Sequence, residues 1–533
     1  RGGGRRGDVG AHAARRAGAL PSGPRCVCIG VGLQRVTLRR PGPAAPRAAI
    51  ETVKEVAFVR QRIRMLVAAT GLALLLPSGG ALASSTQFTT VEAPRELLQS
   101  GDPGPALDLV DELGADGVRI QLSWATVAPN ADSRRKPSFN ATDPGAYPAG
   151  AWDRYDAAID GARQRGLKVH LTLTGAPKWA TRKGDGLTSP SADEFRKFAT
   201  AAGRRYRAKV SWWSIWNEPN LGKMLKPIAR VQSAKVYRDL YLKGYAGLRS
   251  AGVRAPILVG ELAPQANSLR DIGTIAPLRF LREMLCLDGR YRPVKVKGKR
   301  CAKLPTQGVA MHPYSTSAGP FLRPRNRDNV TIGVLDRLTT ALDRAARAGA
   351  LPRRLPVYIT EFGVQSYPDR RLGVPLPVQS DYRSIAEYLA YANPRVKSFS
   401  QYLLRDDDDP TGRRYGAFES GLILANGKAK PSLASFRLPL TVIASRRSRS
   451  RATLWGLVRP AKQARRGGRV TIEYKDRRGG WKRLAVQRFG RSGYWRRAVP
   501  TNRSRAFRVK WTGFDGRTYV GPATVARAAA PTA

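Results

Sequence analysis

Two glutamates each end a short apolar run, and each is followed by residues that stop a strand. One lies in Trp212-Trp213-Ser214-Ile215-Trp216-Asn217-Glu218-Pro219-Asn220, the other in Val357-Tyr358-Ile359-Thr360-Glu361-Phe362-Gly363. Two carboxylates held together can divide labour: a neutral one donates a proton, while an ionised one attacks or stabilises a cationic carbon. Metal chemistry has little support, because the 4 cysteines and 3 histidines form no CxxC or HxxxH spacing. Neither a metal nor a cofactor is expected.

The elements that must position this pair follow a βα rhythm from about 84 to 436, with short apolar segments alternating with amphipathic ones. Strands are predicted near Gln87 to Val91 and over Gly117 to Leu122, Lys168 to Leu173, Val210 to Trp216, Pro256 to Val259, Gly308 to His312, Val357 to Thr360 and Val396 to Leu403. Between them, Tyr237, Leu240, Tyr241, Gly244, Tyr245 and Leu248 share one helical face, and Ser191 with Glu194 forms a capping box. Eight such units predict an α/β fold, a (β/α)8 TIM barrel, whose reactive groups sit at the C-terminal strand ends. A doubly wound sheet would carry a Gly-rich phosphate loop after its first strand, and none is present.

From 437 to 533 the pattern changes to short strand-like runs, Ala452 to Val458, Val470 to Lys475, Trp481 to Gln487, Tyr494 to Val499, Ala506 to Trp511 and Thr518 to Val520, which predict a small β-sandwich. This tail holds 25 Lys+Arg against 3 Asp+Glu, within a chain of 533 residues and net charge +54. Such charge suits an anionic glycan or cell surface. Nucleic acid is not expected as a partner, since no recognition helix or RNP-like motif is present.

At the other end, the apolar run Leu66 to Leu76 follows Arg60, Arg62 and Arg64 and precedes Ala81-Leu82-Ala83. This reads as a signal peptide over 65–83, too short for a membrane span of about 20 residues, and predicts a secreted, extracellular protein starting near Ser84. Residues 1–64, which include Cys26 and Cys28, read as an upstream extension, non-native or disordered. Cys286 and Cys301 then form a structural disulfide, worth about 3 kcal/mol in the chain-entropy model.

The strand-end motifs resemble clan A of the glycoside hydrolases, retaining TIM-barrel glycosidases, and Trp216-Asn217-Glu218-Pro219-Asn220 is most similar to families 39 and 5 of that clan. The resemblance covers about 84 to 436. It implies that Glu218 is the acid/base and Glu361 the nucleophile, with a covalent glycosyl intermediate and carboxyls about 5 to 5.5 Å apart. Arg119, in Gly117-Val118-Arg119-Ile120-Gln121-Leu122-Ser123-Trp124, matches the arginine beside the nucleophile, and His312-Pro313-Tyr314 matches the sixth-strand His-x-Tyr. Arg119 and Tyr314 are expected to keep Glu361 ionised and Glu218 to be raised. Asn217 would bind the sugar 2-hydroxyl, although ideal strand alternation puts Asn217 and Glu218 on opposite faces.

Other residues carry weaker signals. Trp179 can stack on a sugar or simply pack, His170 reads as a core histidine, and Glu261 ends strand five. Asp406 to Asp409 lacks EF-hand spacing and reads as a solvated acidic loop. Where many clan members place a Trp at the end of strand eight, this chain has Tyr402, its expected substitute. The chain is thus expected to be a secreted retaining O-glycosidase acting on a poly- or oligosaccharide. The alternative is a non-catalytic cell-surface protein that binds glycan on the same scaffold.

Overall fold

A computed structural model describes residues 86–526, apart from 229, 268–272, 408–416, 446, 447, 449 and 503. The expected leader at 65–83, the segment 1–64 with Cys26 and Cys28, and Asp408 and Asp409 lie outside the described residues. Eight parallel strands close into a barrel in chain order. They are β1 Phe88–Glu92, β2 Gly117–Ser123, β3 Lys168–Thr174, β4 Trp212–Ile215, β5 Ile257–Leu262, β6 Gly308–Met311, β7 Val357–Phe362 and β8 Val396–Tyr402, with β8 returning to β1. Each overlaps a predicted strand.

Period-two alternation sorts the strand side chains. Val118, Ile120, Leu122, Val169, Leu171, Leu173, Trp213 and Ile215 join the main core with the helices. The intervening positions point inward, and Trp212, Leu258 and Ala310, packed with Phe88 and Tyr358, fill the barrel with a separate apolar plug. His170 stacks on Trp212 at 5.8 Å, so the plug forms the floor on which the polar inward residues rest.

Helices flank the strands, among them α1 Asp153–Gln164, α2 Ala192–Tyr206, α3 Arg230–Ser250, α4 Pro277–Met284, α5 Leu335–Arg347 and α6 Leu376–Ala392. The predicted face of α3 is the packed one, with Tyr237, Leu240, Tyr241 and Leu248 fully buried. Helices α2 and α3 touch at Gly247, where an added Cβ would lie 2.3 Å from the Arg196 carbonyl oxygen. Only half of the expected capping box forms: Ser191 Oγ accepts from the Glu194 amide at 3.3 Å. The Glu194 carboxylate instead pairs with Lys136 and Lys197, which give it charge-assisted partners the Ser191 amide cannot match. The Cys286–Cys301 disulfide is present, with Cα atoms 6.2 Å apart, and encloses a two-residue-per-strand hairpin, Lys295–Val296 with Lys299–Arg300.

After a helix at Pro431–Arg437 come β9 Leu440–Ala444, β10 Arg451–Leu457, β11 Gly468–Lys475, β12 Lys482–Phe489, β13 Tyr494–Pro500, β14 Ala506–Thr512, β15 Thr518–Val520 and β16 Thr524–Val525. They form antiparallel sheets ordered β9-β10-β13 and β12-β11-β14-β15, with β16 also on β14. Leu440, Leu454, Trp495, Ile472, Phe507 and Val509 from both sheets share one core, which makes this a sandwich. Strands β9 and β16 were not predicted; one abuts Pro439 and the other has only two residues, too little for a periodic signal.

The sandwich meets the barrel through buried charge. Arg459 donates to Glu387 of α6 and to the Phe436 carbonyl, while Arg383 reaches Glu387 and Gln401, both at 2.9 Å. Both guanidiniums lie over the Phe436 ring, at 4.1 and 4.5 Å. Burial pushes Arg383 down to about 10. Breaking a buried ion pair from one side strands the remaining charge, here two arginines on one carboxylate. Glu387→Gln should therefore lower the unfolding free energy by about 3–5 kcal/mol, read from urea denaturation. A loss under about 1 kcal/mol would show that this network does not support the interface.

Candidate active site

The site is built where the strands stop being regular. β4 ends at Ile215, and Trp216 and Glu218 both adopt left-handed backbone, with φ of 67° and 42°. This turn resolves the expected conflict, because Asn217 and Glu218 no longer follow strand alternation. The Glu218 amide is held by the Glu261 carbonyl at 3.0 Å. Asn220 fixes the same turn: its side chain donates to the carbonyls of Ala263 and Ile275 and accepts from the Ala263 amide. The Trp216 indole closes the loop on the Met224 carbonyl at 3.0 Å.

Register slips place the other two carboxylates. Gly260 pairs with Ala310 but Leu262 with Met311, so Glu261 is an extra residue in β5, with φ of 52°. Ile359 pairs with Phe399 and Phe362 with Gln401, so β7 carries an extra residue across Thr360 and Glu361. Such bulges re-aim a side chain that regular pairing would send to the wrong face.

One guanidinium ties the strand ends together. Arg119, 1% exposed, donates to Glu92, to Glu361 at 2.7 Å, to Asn217 at 2.8 Å and to Glu261 at 2.6 Å. Tyr314 donates to Glu361 Oε2 at 3.0 Å. His312 Nδ1 lies 3.0 Å from Glu218 and 3.4 Å from Glu361. The donor atoms of Glu218, His312 and Glu361 all lie within 4.8 Å of one another, close enough to hold a cation. Glu218 retains some exposure while Glu361 is buried, so the first faces the mouth and the second lies deeper.

Burial opposes the charge of every group here, and neighbours decide the outcome. It pushes Glu361 up to about 7: His312 and Arg119 pull the other way, while Glu92 and Glu218 reinforce the rise. This corrects the expectation that Arg119 and Tyr314 keep Glu361 ionised: both touch it, but they do not outweigh its burial. Glu261 goes the other way: against the effect of burial, Arg119 and His312 hold it low. Burial also opposes protonation of His312, yet Glu361 and Glu218 raise it. Burial takes His170 down to about 3, so it is neutral.

The structure thus brings together Glu218, Glu361, Arg119, Asn217, His312 and Tyr314. Tyr402, at the end of β8 opposite Glu92, joins them edge-on to Tyr314 at 6.3 Å, and the peptide bond after it is cis. Trp179 is placed differently. It is buried in the main core, edge-on to Trp124, with its indole N–H on the Pro129 carbonyl, which leaves no open face for a sugar. His170 is a core histidine on Ser214 at 2.8 Å, but it also supports Glu261 at 3.4 Å. Asp406 is buried against Lys430 at 2.7 Å, so the acidic loop begins in a salt bridge, not in solvent.

Glu92 is the member that sequence reading missed. It ends the apolar run of β1 as Glu218 and Glu361 end theirs, so the rule that singled them out applies to it too. Gln121, two residues after Arg119 on β2, donates to it at 2.9 Å.

A carboxyl whose proton is held more tightly in the folded than in the unfolded chain stabilises the fold below its unfolded value near 4.5. That contribution is lost as pH rises through about 7. Glu361→Gln cannot titrate. Its melting temperature relative to the parent should rise between about pH 4.5 and pH 8, measured by calorimetry. A gap independent of pH would refute the raised Glu361.

Comparison with known proteins gives the family. The profile of Cellulase (glycosyl hydrolase family 5) matches residues 99–394, more than half of the chain. "Beta-glucosidase 47" of Arabidopsis thaliana is 30% identical over 122 residues, 22% of this chain and 21% of that protein. "Beta-glucosidase-like SFR2, chloroplastic" of Oryza sativa subsp. japonica is 31% identical over 139 residues, 25% of this chain and 20% of that protein. The match thus spans about a fifth of these curated relatives. A solved family 39 glycoside hydrolase from the gut symbiont Bacteroides cellulosilyticus WH2 aligns at 15% identity and TM-score 0.49, covering 80% of this chain and 81% of that one. With a closed eight-stranded barrel and two glutamates converging at its mouth, the chain belongs to the Cellulase family, glycosyl hydrolase family 5.

Proposed function

We propose that this glycosidase is secreted and cleaves a poly- or oligosaccharide with retention, Glu218 serving as acid/base and Glu361 as nucleophile. The approach of the two carboxylates to within 4.8 Å carries the reading. Retaining enzymes need a carboxyl gap of about 5–5.5 Å, whereas inverting ones leave about 6.5–9.5 Å for a water. Export is supported by the apolar run Leu66 to Leu76 with its basic flank, and by the Cys286–Cys301 disulfide, which suits an oxidising compartment.

In the first step a Glu361 oxygen bonds to the anomeric carbon as the glycosidic C–O bond breaks, and the Glu218 proton passes to the leaving oxygen. Glu218, now a base, takes a proton from water, whose oxygen attacks the same carbon and frees Glu361. His312 Nδ1, within 3.4 Å of both carboxylates, is placed to relay a proton between them. Asn217, fixed by Arg119, faces the sugar 2-hydroxyl. Three carboxylates share Arg119 and Glu218 lies against His312, so acidic groups outnumber the one guanidinium at this centre. That field favours the cationic transition state and a neutral sugar at the point of cleavage.

Reducing-sugar release should appear on at least one of xylan, glucan, mannan, galactan and uronate polymers. Glu361→Gln should lower kcat by about four orders of magnitude or more. Glu218→Gln should cost about 10²–10⁴-fold on poor leaving groups and far less on a dinitrophenyl glycoside, which needs no proton. Silence across the panel with glycan binding retained would favour the non-catalytic reading.

A further inference from the structure

Away from the carboxylates, a cavity of about 720 Å³ opens between α4, α5 and the loop after β6, within the range of small-ligand sites, about 300–1,000 Å³. Its walls carry Arg282, Arg323, Arg325, Arg327, Arg337 and Arg344 against two acids, Asp328 and Asp336. Six positive charges less two negative leave four. Arg282 grips Asp328 with two bonds of 2.7 Å, so that pair is internally neutral. Arg323, Arg325, Arg327 and Arg344 are exposed and have no ion pair among the described residues.

The loop is held so that these arginines stay together. Arg337 gathers its backbone from beneath, donating to the carbonyls of Pro324, Asn326 and Asn329 at 3.0 to 3.2 Å. The Leu278 amide anchors the Asp328 carbonyl to the start of α4 at 3.0 Å. Burial lowers Arg337, and Arg323 and Arg327 push it the same way, as expected where guanidiniums crowd one cavity. Crowded, unpaired guanidiniums on a fixed loop are matched by oxyanions, which they bind through paired N–H donors.

We propose that this cavity binds an anionic segment of a glycan, a sugar chain bearing carboxylates or sulfates, apart from the point of cleavage. The choice of a glycan rests on the glycosidase reading above. Single-stranded nucleic acid fits less well, because it binds on aromatic platforms. The one aromatic ring on these walls, Tyr291, is buried and covered by Arg282 and Arg344. A substrate mixing neutral and acidic units would satisfy both places, its neutral sugar at the anionic centre and its acidic units in the arginine cavity.

The test is calorimetric titration of the full chain with a galacturonate trimer and with a neutral galactose trimer. The anionic trimer should bind at least tenfold more tightly, and R323Q/R325Q/R327Q should lose at least tenfold of that affinity. In the same variant, hydrolysis of a neutral aryl glycoside should stay within twofold, which reads the active centre separately. If no aryl glycoside is cleaved by either protein, the catalytic reading fails while the titration still decides this one. Arg477 and Arg478, exposed on the sandwich, supply the control: R477Q/R478Q should bind as the parent does. Unchanged affinity in the triple variant, loss in the sandwich variant instead, or tighter binding of an oligothymidylate of equal charge would each overturn the proposal.

Discussion

Everything at the barrel mouth depends on the burial of one arginine. Removing a guanidinium from water costs several kcal/mol unless charged, hydrogen-bonded partners surround it. Arg119 has them from four other strand ends: Glu92 at the end of β1, Asn217 after β4, Glu261 in β5 and Glu361 in β7. The same contacts that neutralise the cation fix the carboxylates. Against the effect of burial, Glu261, Glu92 and Glu361 hold Arg119 far above its ordinary value, so it stays charged at any working pH.

That arrangement is asymmetric, and the asymmetry makes it useful. One cation cannot satisfy Glu92, Glu261 and Glu361 fully, and the deficit falls on Glu361. Glu261 keeps two of its neighbours in Arg119 and Thr172, with His170 beneath it. Glu361 has a tyrosine hydroxyl, a histidine and a share of the arginine. The result is two neighbouring groups, Glu361 and His312, 3.4 Å apart, that both hold a proton more tightly than usual.

Charge is managed differently at the two ends of the molecule. At the mouth, acids outnumber the one arginine, and Glu361 holds its proton more tightly than an ordinary carboxyl. At the sandwich interface, two buried arginines share Glu387 and lean on the Phe436 ring, an arrangement open to a planar guanidinium and closed to an ammonium. Lys462 adds a further tie from the sandwich side to Asp116 and to the Gln87 carbonyl at the start of β1. Among the described residues no helix is long and apolar enough to cross a membrane.

The sequence by itself determined the barrel, because each strand is a short apolar run of period two and each helix an amphipathic one. Those signals are local and survive without knowledge of partners. It also marked Glu218 and Glu361, since a carboxylate ending an apolar run is conspicuous, while Arg119, His312 and Tyr314 stood out only through their resemblance to clan A motifs. Glu92 was legible by that same rule and was passed over. What only the tertiary structure decided is direction and company. The extra residues at Glu261 and in β7, and the left-handed turn at Trp216 and Glu218, change which face a side chain takes without leaving a trace in the pattern. Whether Trp179 stacks on sugar or packs depends on neighbours such as Trp124 and Pro129, 55 and 50 positions away. The raised proton affinity of Glu361 was likewise beyond the sequence: it follows first from burial and then from the carboxylates of Glu92 and Glu218 beside it, and both exist only once the barrel has closed.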